Sequence, residues 1–361
     1  MTAELEVSVV NAERASRLGY VAHVAVDAGA GAALAVGGTS SDRPTVLASA
    51  DARRFSRRRT PRRLGLRAAL THGGAWWTCG EYGQLARSSD RGATWAIVPT
   101  ATNACLYALA QVGDDVWVAG DRGYCARVRD GMSTPVDIGT SDALVAIAAH
   151  AGAVVLLGRH GAIYRWSAGA GPSGGAVAQV ATGATAALAA LAITRRGTWI
   201  AVGDGGFITR SPDGAWFSRA ASGTGVDLEA IAVLADGRVA VVGDRGYVAL
   251  SADEGRSWRA VPAGTSAHLW SIARCGDGAL IGGDAGWIAR LAAPAAPGAP
   301  GELPQINEEE GDDYGGDDDD GGSDDDDGDA STDDDDDDDG GSRDDEGDGD
   351  DDDTDGEVFQ S

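Results

Sequence analysis

The chain has 361 residues and a formal net charge of −27, with 54 glycines, 11 prolines and four cysteines. The charge is divided: from Glu302 onward 32 acidic residues stand against Arg343 alone, so this stretch carries −31 and the remainder +4. No apolar run reaches membrane-spanning length, no C-x-x-C spacing points to a zinc or redox site, and the opening Met1-Thr2-Ala3-Glu4-Leu5-Glu6-Val7 has acids where a secretion signal needs a basic segment, so a soluble, cytoplasmic chain is expected.

In chain order, residues 5–10 (Leu-Glu-Val-Ser-Val-Val) form a short β-type run outside any complete repeat. A first unit opens at Tyr20-Val21-Ala22-His23-Val24-Ala25-Val26, passes a loose glycine pair at Gly37-Gly38-Thr39-Ser40, and ends in Ser49-Ala50-Asp51 with Phe55 nearby. Exact G-x-x-G pairs then begin at Gly80, Gly120, Gly158, Gly203, Gly243 and Gly283, spaced 40, 38, 45, 40 and 40 residues apart, with the loose pair 43 residues before the first. A period of this length marks a repeat array of seven units.

Each later unit opens with an apolar strand, such as 106–110 or 228–232. Alternation places leucine and two alanines on one face and a variable residue plus Leu or Ile on the other, so both faces are expected to be buried. A second strand ends at the first glycine of G-x-x-G. The two residues between the glycines read as a hairpin turn, with glycine supplying the positive φ that other residues resist. The third strand ends in a box, intact at Ser88-Ser89-Asp90-Arg91-Gly92-Ala93-Thr94-Trp95 and Ser251-Ala252-Asp253-Glu254-Gly255-Arg256-Ser257-Trp258 and shortened at Ser211-Pro212-Asp213-Gly214-Ala215-Trp216. The fourth strand starts at the tryptophan.

Four short antiparallel strands in about 40 residues make a propeller blade. The fold class is therefore all-β: a single seven-bladed β-propeller of four-stranded antiparallel blades over residues 1–293. A Pro/Ala/Gly linker follows at 294–306, then a disordered Asp/Gly-rich acidic tail at 307–361, too polar and self-repelling to offset its ordering entropy. The seventh unit stops after three strands, which leaves an unpaired edge. Residues 5–10 are the spare strand expected to close the ring by pairing with 287–291.

The boxes offer serine and aspartate at fixed spacing, yet a structural role is the physical expectation for Ser88, Asp90, Gly92 and Trp95 and for Ser251, Asp253, Gly255 and Trp258. The carboxylate accepts the turn's own amides, the glycine takes the strained position and the tryptophan packs beneath. These residues resemble the Asp-box (BNR-type) repeats of sialidase-type propellers. The full frame of strand, G-x-x-G, strand and box, over about residues 5–291, is most similar to the photosystem II stability/assembly-factor family of seven-bladed propellers. That resemblance implies a non-catalytic assembly chaperone that docks membrane-protein subunits. Sialidases carry an F/Y-R-I-P motif and a Tyr/Glu pair beneath an arginine triad, and no such motif occurs here.

Every basic residue is arginine, which keeps its charge in any environment and matches carboxylate or phosphate by its fork geometry. Residues 53–67 hold eight of them, on the expected outer strand of the first blade and the crossing to the second. Arg57, Arg58, Arg59, Arg62 and Arg63 from this run, with Arg122, Arg159 and Arg245 inside G-x-x-G turns, are candidate anion- or partner-binding residues on one end of the propeller; the boxes belong at the other. With no aromatic interleaving or nucleic-acid motif, protein segments rich in acids are the expected partner. The tail is expected to fold back loosely and compete with them.

The four cysteines, Cys79, Cys105, Cys125 and Cys275, stand where sister repeats have small apolar residues and read as buried thiols. His23, His72, His150, His160 and His268 fall in different units without ligand spacing and read as isolated, with no metal site. Asp335-x-Asp337-x-Asp339-Gly340 with Glu346 matches a calcium-loop pattern, as a poly-Asp sequence does by chance; only weak, diffuse divalent binding is expected.

The sequence thus reads as a monomeric, non-catalytic binding or assembly scaffold without cofactors, docking protein partners on a propeller face under modulation by its tail. The alternative is a sialidase-like glycan hydrolase or glycan-binding propeller. That alternative requires an axial pocket lined by several Arg, Tyr and carboxylates, whereas a scaffold requires a small-residue axis and a charged rim.

Overall fold

The computed structural model describes residues 5–10, 19–27, 29–38, 44–169 and 174–292. Residues 293–361, with the whole linker, the tail, its calcium-loop match and its expected fold-back, lie outside the described residues.

The described chain forms seven four-stranded antiparallel sheets. The first strand of each blade, Val21–Val26, Leu66–His72, Leu106–Val112, Leu144–His150, Leu188–Ile193, Leu228–Val233 and Leu269–Cys275, lies innermost, and each touches the next in a closed circle. Seven hydrophobic clusters form, one in each gap between adjacent blades. Both faces of every sheet are thus covered, which is why the second strands (for instance Ala153–Gly158) are buried at every position. Cys79, Cys125 and Cys275 are buried in these gaps, whereas Cys105 is half-buried.

The seventh sheet is completed from the other end of the chain. Strand Glu6–Val9 pairs antiparallel with Ile288–Ala292, Val7 facing Leu291 and Val9 facing Ala289. Leu5, 5% exposed, joins the cluster between the sixth and seventh blades.

The G-x-x-G turns differ from the sequence expectation in which glycine does what. The first glycine is extended: Gly80 has φ 178°, and a Cβ there would lie 2.1 Å from the Gly65 carbonyl oxygen. It is glycine because another backbone crosses it. The second glycine carries the positive φ, +68° at Gly83, and the turn is a short 3-10 segment in which the preceding residue is also left-handed. Tyr82, Arg122, Gly205, Arg245 and Ala285 hold that middle place in five turns, with φ between 52° and 63°.

The boxes close the hairpins between third and fourth strands. Asp253 Oδ1 accepts from Ser251 Oγ (2.8 Å), Arg256 N (3.0 Å) and Ser257 N (2.9 Å), Oδ2 accepts from Ser257 Oγ (2.6 Å), and Ser251 Oγ accepts from Gly255 N (2.8 Å). Asp90 repeats the pattern with Ser88 and Thr94. These donors hold the carboxyl of Asp90 down to about 2; at Asp253 they outweigh burial, also giving about 2. Ser49 and Asp51 form the same turn without the glycine, Ala52 taking φ +54° in its place. Trp95 and Trp258 pack against the core, but Trp216 in the shortened box is 84% exposed: losing one residue moves Phe217 into the packed place. Asp253→Ala is expected to cost about 1 kcal/mol, the low end for a lost acceptor because the turn is in water. A lower denaturation midpoint with partner binding intact would show this; lost binding at unchanged stability would assign the residue to recognition instead.

Candidate functional site at the channel mouth

Every inner strand carries a β-bulge one residue in from its start. The register slips between Val21 and His23, Leu66 and Ala68, Leu106 and Ala108, and likewise in the other four blades. The extra residue leaves the ladder, and such bulges re-aim a side chain. The seven residues so placed, Ala22, Arg67, Tyr107, Val145, Ala189, Glu229 and Trp270, form one ring and all line a cavity of about 540 Å³ at the end of the channel where the G-x-x-G turns emerge. Below the ring the channel continues as a 240 Å³ cavity walled largely by Ala, Leu and Ile.

The first variable residue of each exact turn makes an outer ring: Glu81, Asp121, Arg159, Asp204, Asp244 and Asp284. In two blades it ties down the bulged residue of the same blade. Arg67 Nη2 donates to Glu81 Oε1 at 3.2 Å and its Nη1 to the Tyr20 hydroxyl; Trp270 Nε1 donates to Asp284 Oδ1 at 2.7 Å. In a third blade, burial first and then the neighbouring Cys105 and Asp121 raise the pKa of the Tyr107 hydroxyl. Arg159 lies over the Tyr107 ring, 5.6 Å from its centroid.

Blades five and six lack this arrangement. Ala189 offers Asp204 nothing to bond, and Glu229 faces carboxylates. Burial first, then the charges of Asp244, Asp204 and Asp227, push the Glu229 carboxyl from 4.5 up to about 7, with Arg159 opposing. Asp204 is raised by burial and by Asp227. Asp244 turns instead to His268, whose Nδ1 lies 2.5 Å from Oδ1 and whose pKa is raised chiefly by that bond. His23 lies in the channel below; Nδ1 accepts the Ala69 amide at 3.3 Å, and burial lowers its pKa to about 4. The histidines are therefore not all isolated, since His160 also pairs with Asp142 at 2.7 Å.

The predicted arginines separate into two groups. Arg57, Arg58, Arg59, Arg62 and Arg63 are exposed along the outer strand and crossing of the first blade, and Arg62 shares a 570 Å³ groove with Tyr82 and residues 97–103. Arg122 and Arg245 project, exposed, from the middle of their turns, Arg122 bonding Asn103 at 2.7 Å. Arg159 stands at the mouth instead. So does Arg67, which the sequence places with the rim run but which the inner strand carries to the axis. Arg67, Tyr107, Glu229 and Trp270 are the residues that sequence reasoning passed over. Their signal is the variable place after the opening Leu, where sister repeats have Ala or Val.

No protein-family model matches the chain, and no curated protein matches it in sequence. Among solved structures it is similar to virginiamycin B lyase from Staphylococcus aureus (TM-score 0.69, 13% identity, covering 80% of this chain and 99% of that one). YCF48 bound to D1 peptide gives 0.65 and 16%, covering 82% and 99%; the WD40 β-propeller domain of Doa1 gives 0.64 and 11%, covering 81% and 98%. At these identities the likeness is one of fold. An enzyme and a peptide-bound protein stand side by side among the neighbours, and fold alone does not choose between them.

Proposed function

We propose that the protein is a non-catalytic scaffold that docks a protein partner bearing acidic segments on the end of the propeller where the turns and crossings emerge, with Arg62, Arg122 and Arg245 as anchors. The observation that carries this reading is the conformation of two of them. Arg122 and Arg245 are held, exposed, at φ +57° and +55°, a region costing a side-chain-bearing residue about 1–2 kcal/mol; Tyr82 and Ala285 share the conformation in two sister turns and Gly205 fills the place in a third. Strain kept at an exposed position is a reason to look for function there. The bound peptide on YCF48 supports a docking role for a propeller of this shape.

The test uses a fluorescent Asp/Glu-rich peptide and the Arg122→Gly/Arg245→Gly double variant. Removing both arginines should weaken binding about tenfold or more at low ionic strength, with melting unchanged or raised as strain is relieved. Equal affinity in wild type and variant would overturn the reading.

One observation favours the alternative of a glycan hydrolase or glycan-binding propeller: the mouth combines Arg67, Arg159, Tyr20, Tyr107, Glu229 and Asp204. Two arginines are fewer than a sialidase triad. Turnover of fluorogenic glycosides, lost in Glu229→Gln, would establish that activity.

A further inference from the structure

The outer edge of the fourth blade is built unlike the other six. Its strand, Gly175–Ala181, has seven residues, whereas the other outer strands have two to four, and five of those six contain an arginine, a glutamate or a proline. Gly-Ala-Val-Ala-Gln-Val-Ala contains none of these, and no charged residue stands anywhere between Arg165 and Arg195. Propellers leave only short, protected edges, and natural edges are blunted by brevity, charge or proline because their free backbone groups recruit other strands. The fourth blade uses none of these protections, and residues 176–179 are exposed.

The ladder inside the blade fixes which backbone groups face outward. Gly169 N donates to Gly174 O at 3.0 Å at one end of the pairing and Thr182 N to Gly161 O at 2.9 Å at the other, with Ala178 opposite Arg165 between them. Hydrogen-bonded pairs alternate along an antiparallel ladder, so Ala176, Ala178 and Val180 bond inward, and Gly175, Val177, Gln179 and Ala181 turn their N–H and C=O groups out. Among the described residues nothing bonds those outward groups. A second copy of the strand fits them in one register. Turned antiparallel about a two-fold axis at Ala178, Gly175 faces Ala181 of the second copy and Val177 faces its Gln179, so every outward donor meets an outward acceptor. Ala178 faces its own counterpart in a non-hydrogen-bonded pair, where Cα atoms lie about 4.5 Å apart. A foreign peptide added as a strand takes its specificity from side-chain pockets, and this strand lines neither the channel cavities nor the groove at Arg62.

We propose that the fourth-blade edge is a self-association surface: two copies pair their Gly175–Ala181 strands antiparallel about a two-fold axis, joining two four-stranded blades into one eight-stranded sheet. The contact is isologous and uses the edge up, so assembly stops at two. A single strand pair buries less than the roughly 1,200 Å² of a standard interface, and the dimer is accordingly a weak one. The net charge of −27 opposes the approach of two copies, so association strengthens as salt screens it. The surface is separate from the docking surface, because Arg62, Arg122 and Arg245 take no part in the pairing.

The experiment is sedimentation velocity of the full-length protein from low to high micromolar concentration, in about 0.1 M and about 0.5 M salt. A reversible shift from 36.6 kDa to twice that mass is expected, tighter at the higher salt. Gln179→Pro removes an outward donor and leaves the inward ladder whole, and the axis makes the loss count twice, so association should weaken about tenfold or more with the melt nearly unchanged. Ala178 is exposed, and Ala178→Lys and Ala178→Glu each set like charges opposite one another across the axis. Each variant alone should be monomeric, and an equal mixture of the two should dimerise. The double variant Arg122→Gly/Arg245→Gly should dimerise as wild type does, so failure of the docking reading leaves this result intact. A wild type that stays monomeric throughout, Ala178 or Gln179 variants that associate as wild type does, or a Lys/Glu mixture that stays monomeric would overturn the proposal.

Discussion

Removal of residues 1–12 is expected to lower the melting temperature by about 10 °C or more. The strand Glu6–Val9 supplies the whole fourth place of the seventh blade, and with it go four register pairs, the Val10 amide to Ile288 carbonyl bond of 2.9 Å and the buried side chain of Leu5. Burial of one leucine contributes about 2–3 kcal/mol and each net hydrogen bond about 1 kcal/mol, for a total near 5 kcal/mol. At this chain length each kcal/mol moves the midpoint by about 2 °C. The loss also leaves Ile288–Ala292 as an open edge, a template for pairing between molecules. Scanning calorimetry of the truncated protein should therefore show both a lower midpoint and concentration-dependent aggregation, and an unchanged melt would mean that the ring is held shut by blade packing alone. Leu5→Ala separates the two contributions, since it keeps the ladder and removes the side chain.

The second large effect is a pair of opposed pH dependences. Glu229 titrates near 7 in the fold against 4.5 when unfolded, so the folded state holds its proton more tightly, and the stability this represents is full below pH 4.5 and lost as pH rises through 7. His23 titrates near 4 against 6.5, so its contribution is full above pH 6.5 and lost as pH falls through 4. Each shift corresponds to about 3 kcal/mol. In the window from about 4.5 to 6.5 the two slopes have opposite sign and cancel, and wild-type stability should be nearly flat there. Glu229→Gln removes one slope: measured without ligand, the variant should gain about 2–3 kcal/mol over wild type at pH 8, none near pH 4, and should show the rising limb from His23 in between. Urea titrations across this range check it. A Glu229→Gln variant no more stable than wild type at pH 8 would mean that the carboxylate is relieved by solvent at the channel neck.

The blade pattern was open to sequence reasoning because it depends on neighbours in the chain. The spacing of the glycine pairs, the alternation of the opening strands and the truncated seventh unit are local or periodic facts, and they led directly to seven sheets and a strand borrowed from the N-terminus. The glycine roles were only partly legible. A positive φ is a property of one residue, whereas the demand on Gly80 comes from the Gly65 carbonyl, brought across by the bulge. Trp216 misled for a related reason, since a one-residue deletion inside a turn reverses which side chain faces the core.

The mouth could not be read in this way. Arg67, Tyr107, Glu229 and Trp270 sit about 40 residues apart, each in a slot where the repeat tolerates anything, and strict alternation would have hidden them among buried positions. A bulge in every inner strand turns that slot toward the axis, and only ring closure sets the slots side by side. The Glu229 carboxyl titrates near 7 because it is buried at the neck and because Asp204 and Asp244, contributed by separate blades, lie close enough through space to repel its charge. Periodicity along the chain decides how many blades form and how each turn is built, since hydrogen-bond ladders and apolar alternation act between near neighbours. The chemistry of the channel follows from burial and Coulomb interactions among residues that meet only in the closed ring.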